Sequence, residues 1–313
     1  MKRILAVLLC LALMLTAGCS AVKIGTPAET PAPTPVPTPV PTPTPEPTFK
    51  FTRENFPVMD GSTSLVPLGK AVAAVLLGED TESVSDLINF NRTTQSYRNL
   101  MWDSCDIIIA AAAADTVMEE YAQQGFEYDM AKIASDALIF VVNADNPVDN
   151  LTTEQLQKIY MGEITNWKEL GGNDVPIIPF QRNVEAGSQT ILKNTVMKDL
   201  PIMDPPKDYL VDSMMGLMEA VRNFDGSEGA IGYSVYYYAN DMKMAEGLKI
   251  ISVDGVSPEP ESIKNEEYPF LASYYTTVAA SEPEDSPARI LWNWLQGEEG
   301  GYVMEQLGYV PIV

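Results

Sequence analysis

The stretch MDGSTSLVPLGKAV, residues 59–72, crowds Asp60, Gly61, Ser62, Thr63 and Ser64 between an apolar approach and the opening turn of a helix. Pro67 suits a first helical turn, and Leu68, Val72, Val75 and Leu76 follow at helical spacing before Gly78 closes the run. The hydroxyls therefore precede a helix N-terminus. The arrangement recurs in NFNRTTQSYRNLMW (89–102), where Thr93 and Thr94 precede Tyr97, Leu100 and Met101. It recurs again in VPIIPFQRNVEAGSQTILKNTV (175–196), where an apolar strand leads to Arg182, then to Ala186, Gly187 and Ser188, then to a helix carrying Ile191, Leu192, Thr195 and Val196. Short apolar runs alternating with helical patterns from Phe49 onward predict an α/β fold with largely parallel sheets.

A helix start leaves backbone N–H groups unpaired and carries a partial positive charge of about half a unit, so it attracts an anion without a full cation. Serine and threonine add donors, and glycine lets the backbone approach. Taken singly, each hydroxyl reads first as a cap on its own helix, and neither Asp60, which suits a turn, nor Arg182, which suits a surface ion pair, carries a functional claim alone. Three such starts with one arginine point instead to a shared oxyanion site.

The bulk composition narrows the choice further. The chain has 313 residues, 46% of them hydrophobic, enough to bury a sizeable core. It carries 43 acidic against 20 scattered basic residues, a formal charge of −23, which argues against nucleic acid and anionic membrane surfaces as partners. Histidine is absent, which excludes Ser-His-Asp and Cys-His hydrolases and the helical zinc motifs. No grouped carboxylates suggest a metal, and no nucleophile is paired with a base, so the chain reads as a non-enzyme without cofactor. The three cysteines, Cys10, Cys19 and Cys105, offer no disulfide framework, and Cys105 at the start of an apolar strand reads as a small buried hydrophobe.

The N-terminus, MKRILAVLLCLALMLTAGCS, has two basic residues, a short apolar run and a small-residue end, the pattern of a signal peptide over residues 1–18. LTAGC at 15–19 resembles a bacterial lipobox, which implies cleavage before Cys19 and lipid attachment to its sulfur; Thr16 departs from the usual leucine three places before the cysteine. From Pro31 to Pro47 every odd position is proline. Such a run favours polyproline II and reaches on the order of 50 Å, so residues 19–48 read as a lipid anchor and a stalk that holds the body off the membrane.

Four stretches, DGSTSLVPL (60–68), NLTTEQLQKIYMGEITNWKELGG (150–172), QRNVEAGSQT (181–190) and GAIGYSVYYY (229–238), resemble in sequence and order the phosphate-binding solute receptors of bacterial ABC importers. Within the second, Thr152 and Gln155 form a capping-box pattern, and Leu156, Ile159 and Tyr160 a packing face. The resemblance covers residues 55–313 and implies the two-lobe periplasmic-binding-protein fold, type II-like, each lobe a mixed, mainly parallel sheet flanked by helices with a ligand cleft at the hinge. The crossings fall on the strands at 137–142 and 230–233, giving lobe one as residues 49–140 with 236–313 and lobe two as 141–235.

Carried onto this sequence, the family's site takes Ser62, Thr63 and Ser64 from the first loop, Thr94 from the second, and Arg182, Gly187 and Ser188 from the third. The partners implied are phosphate or a related oxyanion, a membrane ABC permease, and the membrane itself through the lipid at Cys19; the receptor is expected to be a monomer. Two positions depart from the family's pattern. Ala186 stands where a serine is usual, and the acidic side chain that accepts the phosphate proton is replaced by the run Ala110–Ala114, leaving Asp60 or Asp115 as substitutes. An O–H group buried without an acceptor costs about 1–3 kcal/mol, about ten- to a hundredfold in affinity. Those departures favour, as the second reading, an extracellular anion sensor or partner-binding lipoprotein that has lost transport.

Overall fold

The structure, a computed structural model, describes residues 47–224, 227–240 and 243–313, all within one compact unit. The expected leader, Cys19 and nearly all of the proline stalk lie outside the described residues. In chain order the elements are β1 (Met59–Gly61), α1 (Val66–Leu77), α2 (Thr93–Met101), β2 (Ile107–Ala111), α3 (Asp115–Gln124), β3 (Tyr128–Asn143), β4 (Asn150–Leu151), α4 (Thr153–Met161), β5 (Ile178–Pro179), β6 (Gln181–Arg182), α5 (Gly187–Ile191), β7 (Leu210–Val211), α6 (Met214–Asn223), β8 (Ala230–Val235), α7 (Tyr236–Asn240), β9 (Leu248–Val253), α8 (Pro260–Lys264), β10 (Leu271–Ala279), α9 (Pro287–Leu295), α10 (Glu298–Gln306) and β11 (Val310–Pro311).

Strand β3 organises the molecule. Its first part pairs antiparallel with β10, from Tyr128↔Ala279 to Ala137↔Leu271, and its second part with β8 and β9 on opposite edges. The second part can serve two partners because Leu138 to Val142 are all fully buried, an uninterrupted apolar run with no solvent face to protect. The two sequence-predicted crossing strands therefore lie side by side, Leu138↔Val235 through Val142↔Ile231.

The α/β class holds, and the sheet is mixed. It departs from the expected mainly parallel arrangement: β1 with β2, β4 with β9 and β5 with β8 are parallel but only two or three residues long. The long ladders, β2 with β10 and β3 with β10 and β8, are antiparallel, because β10 returns late in the chain to fill the gap between β2 and β3. Strand β9, in the stretch that the sequence reading assigned to lobe one, pairs with the second part of β3.

Alternation along β2 sends Ile107, Ile109 and Ala111 into the main core with Leu68, Val72 and Leu76 of α1, and Ile108 and Ala110 into a second cluster with Tyr97, Leu100, Val117 and Tyr121. One strand thus buries helices on both faces, and it delivers the end of β2 beside the starts of α1 and α2. The Thr152–Gln155 capping box is present at α4, and Leu156, Ile159 and Tyr160 are buried as expected. The α9 helix likewise buries Leu291 and Leu295.

Candidate anion-binding site

The starts of α1, α2 and α5 surround a cavity of about 40 Å³. A single water needs about 10–15 Å³ measured this way, so the space suits a few waters or one small tetrahedral anion. It opens into a wider cleft of about 740 Å³ lined by Asn91, Arg92, Thr94, Gln95, Asn183 and Glu185 among others.

These three helix starts differ from those of α4, α6 and α9, though α3 and α10 also lack a side-chain cap. Helices α4, α6 and α9 are capped by the side chains of Thr152, Ser213 and Ser286. The short 3-10 turn Thr63–Leu65 that leads into α1, and helices α2 and α5, have no side-chain cap at all. Two of the hydroxyls near them are turned to each other. Ser62 Oγ and Thr93 Oγ1 lie 2.6 Å apart, and Ser62 Oγ also receives the Ala111 N–H at 3.4 Å.

Ser62, Thr63, Ser64, Arg182, Gly187 and Ser188 all line the cavity, so the structure brings six of the seven expected ligand residues together. Thr94 does not line it; its Oγ1 donates to the Glu185 carbonyl and it borders the outer cleft. Thr93, one residue earlier, lines the cavity instead. Gly187 fits because a Cβ there would sit 2.4 Å from Thr93 Oγ1, so only glycine permits this approach of α5 to α2.

Arg182 is only 7% exposed. Its Nε donates to the Val211 carbonyl and its Nη2 to the Asp212 carbonyl, both at 3.0 Å, and Nη1 stands 3.5 Å from Ser188 Oγ. The Tyr233 hydroxyl accepts from the Arg182 backbone N–H at 2.8 Å, which fixes the strand behind it. Among the described residues no carboxylate pairs with this guanidinium. Burial lowers its pKa, and the charge of Arg92 lowers it further, yet an arginine stays protonated. A buried cation in this position costs several kcal/mol of desolvation unless a counter-ion returns it.

Arg92 is one of the lining residues that the sequence does not reveal. It lines both spaces, is exposed, and holds φ 73°, ψ 158° at the start of α2, a conformation that non-glycine residues rarely adopt. In sequence it is one of many scattered cations; its strained backbone and its neighbour Arg182 are visible only in three dimensions. Tyr274 of β10 and Ala111 of β2, paired in register, also line the cavity.

Neither acidic candidate lies in the cavity. The Asp60 carboxylate accepts four N–H groups: Gly61 N at 2.7 Å and Asn91 N at 2.6 Å on Oδ1, and Asn91 Nδ2 at 3.0 Å and Asn99 Nδ2 at 2.7 Å on Oδ2. Asp115 is exposed and paired with Lys193. Among the described lining residues none is acidic. Cys105 is buried, and burial with the nearby Asp60 charge raises its thiol, so it is inert at neutral pH.

Helix starts without side-chain caps and two guanidiniums surround a space of tetrahedral-anion size, on a mixed sheet flanked by helices. Residues 58–293 match the PBP superfamily domain, and the chain belongs to that superfamily. Among its relatives, the phosphate-binding protein PstS of Borreliella burgdorferi is 29% identical over 208 residues, 65% of this chain and 72% of the relative. That of Bacillus subtilis is 29% identical over 182 residues, 58% of this chain and 57% of the relative. A similar solved structure is a putative phosphate ABC transporter substrate-binding protein with bound phosphate from Clostridium perfringens, with TM-score 0.66, 24% identity, and 82% of this chain and 98% of that one covered. An ABC-type phosphate transport receptor from Vibrio cholerae matches with TM-score 0.60 at 21% identity, over 80% and 98% of the two chains.

Proposed function

We propose that this chain captures inorganic phosphate at the Arg182 cavity and presents it to an ABC permease, as an extracytoplasmic receptor tethered by lipid at Cys19. The observation that carries this reading is Arg182: a buried guanidinium without a carboxylate partner, facing a second cation across a space walled by uncapped helix N-termini. Two positive groups held together destabilise each other until a multiply charged anion arrives. The phosphate-binding relatives support phosphate as that anion.

The receptor has two lobes that meet at the switch in pairing partners along β3, with α1 and α2 on one and Arg182, Gly187 and Ser188 on the other. An anion that touches both favours the closed arrangement by its differential contact. The protein works as a monomer without catalytic chemistry. The test is a thermal-melt series of the purified protein with phosphate, sulfate and chloride. Phosphate is expected to raise the melting temperature by several degrees at a hundredfold excess over its Kd, since such an excess adds about 2.7 kcal/mol. No shift with phosphate at millimolar concentration would remove the proposal.

A further inference from the structure

Hydrogen phosphate is both an anion and a donor: it carries an O–H that fully ionised sulfate lacks. The cavity wall is rich in groups that donate, Arg182, Arg92 and the open N–H groups of the helix starts, and has no carboxylate to receive that proton. A hydroxyl facing only donors would leave the ligand O–H unsatisfied. Resting on the phosphate reading above, we infer that the Tyr274 hydroxyl, its own proton committed to Asp136, is the group that accepts the ligand O–H and so separates protonated from fully ionised oxyanions.

The geometry is specific. Tyr274 lines the cavity, and its OH donates to Asp136 Oδ2 at 2.8 Å. Donation to Asp136 points the phenolic hydrogen away from the ligand and leaves lone-pair capacity on the oxygen as an acceptor. Asp136 is itself only 3% exposed, and its Oδ1 receives Ala137 N at 2.7 Å and Tyr237 N at 3.2 Å, which holds the carboxylate in one orientation. Among the other wall hydroxyls, Ser62 Oγ and Thr93 Oγ1 share one hydrogen bond with each other, Ser188 Oγ faces the Arg182 Nη1 donor at 3.5 Å, and Ser64 is bonded to the phenol itself.

Burial, and then the charge of Asp136, raise the Tyr274 phenol well above its ordinary value, so the proton stays on the tyrosine; a hydrogen bond from Ser64, on the same cavity wall, acts in the opposite direction and takes one of the oxygen's two lone pairs, leaving the other for the ligand. Space for the ring comes from the alanine run. Tyr274 stands opposite Ala111 in the β2–β10 ladder, where directly paired side chains share a face. A larger residue at 111 would fill the place into which the phenol projects. The β3–β10 register also slips between Tyr274 and Tyr275, the kind of irregularity that re-aims a side chain beside a site. Asp136 does not line the cavity and acts through Tyr274, as a positioning residue.

The experiment is calorimetric titration of the wild type, Tyr274→Phe and Asp136→Asn with inorganic phosphate and, separately, with sulfate at mildly alkaline pH. Wild type is expected to prefer phosphate. In Tyr274→Phe phosphate affinity falls about ten- to a hundredfold while sulfate affinity stays within about twofold, so the preference collapses. Asp136→Asn produces a smaller fall confined to phosphate, because the amide still offers an oxygen to the phenol but also a competing N–H; it carries the test if the phenylalanine variant does not fold. Equal weakening of both anions, an unchanged preference in both variants, or a wild type that binds sulfate as well as phosphate overturns the inference and leaves the phosphate reading standing. A wild type that binds neither anion overturns both.

Discussion

The Asp60 carboxylate stands outside the cavity lining with both oxygens engaged by the fold. Its position before the hydroxyl run made it a candidate proton acceptor, but the four N–H groups that occupy its oxygens arrive from Gly61, Asn91 and Asn99, the last two 31 and 39 residues away in sequence. Only the fold brings them together, so nothing local in the sequence could reveal that the carboxylate was already engaged. Asp60→Asn is therefore expected to act on stability: replacing one oxygen by an NH₂ leaves donors facing a donor, at about 1–3 kcal/mol, and the melting temperature should drop by several degrees. Phosphate affinity measured well below the melt should change less than threefold. The cavity-lining residues that were legible, Ser62, Thr63, Ser64, Arg182, Gly187 and Ser188, sit in continuous stretches where helix-start chemistry is written over a few positions. Arg92, Thr93 and Tyr274 were not: the first reads as one scattered cation, the second differs from Thr94 only in helical phase, and the third comes from a strand 163 residues after Ala111 that only the sheet brings beside it.

At the scale of elements, α2 is tied to the segment that precedes α5. Arg98 bridges Glu120 of α3 at 2.7 Å and Glu185 at 2.9 Å, Thr94 donates to the Glu185 carbonyl, and Lys193 pairs with Asp115 at the start of α3. Thr94 and Glu185 line the outer cleft, so Arg98→Ala, which frees Glu185, is expected to speed phosphate release severalfold with little effect on the association rate, read by stopped-flow fluorescence. The pair is also pH-sensitive in a defined direction. The hydrogen bond from Arg98 holds Glu120 below its ordinary value, so its contribution is complete above about pH 4.3 and fades only as pH falls through the lower folded value. The ratio of release rates between Arg98→Ala and wild type, in which the titration of phosphate itself cancels, should therefore be flat from neutral to pH 5 and shrink only in stronger acid. Helix boundaries and the α4 capping box were readable because their signals are local. The antiparallel β10 insertion between β2 and β3 was not, since strand order is decided by pairings between residues far apart in sequence.

The whole molecule is strongly acidic, with a formal charge of −23, yet the reading makes it a receptor for an anion. The two facts are compatible because the site's field is local: Arg182, Arg92 and the helix starts act within a few ångströms, whereas the surface charge acts at long range and is screened within about 8 Å at physiological salt. The association rate for phosphate is accordingly expected to rise with ionic strength between about 0.01 and 0.15 M, the reverse of a basic receptor; a fall would mean that the cleft field extends beyond the surface charge. The central claim is that the Arg182 cavity is the anion site. Its most direct test is calorimetric titration of inorganic phosphate into the wild type and Arg182→Ala side by side, with folding of both checked by circular dichroism. The account predicts one phosphate per chain in the wild type and a loss of at least about thirtyfold in a variant that still folds, as expected when a charged donor is removed. Normal phosphate binding to Arg182→Ala would contradict it.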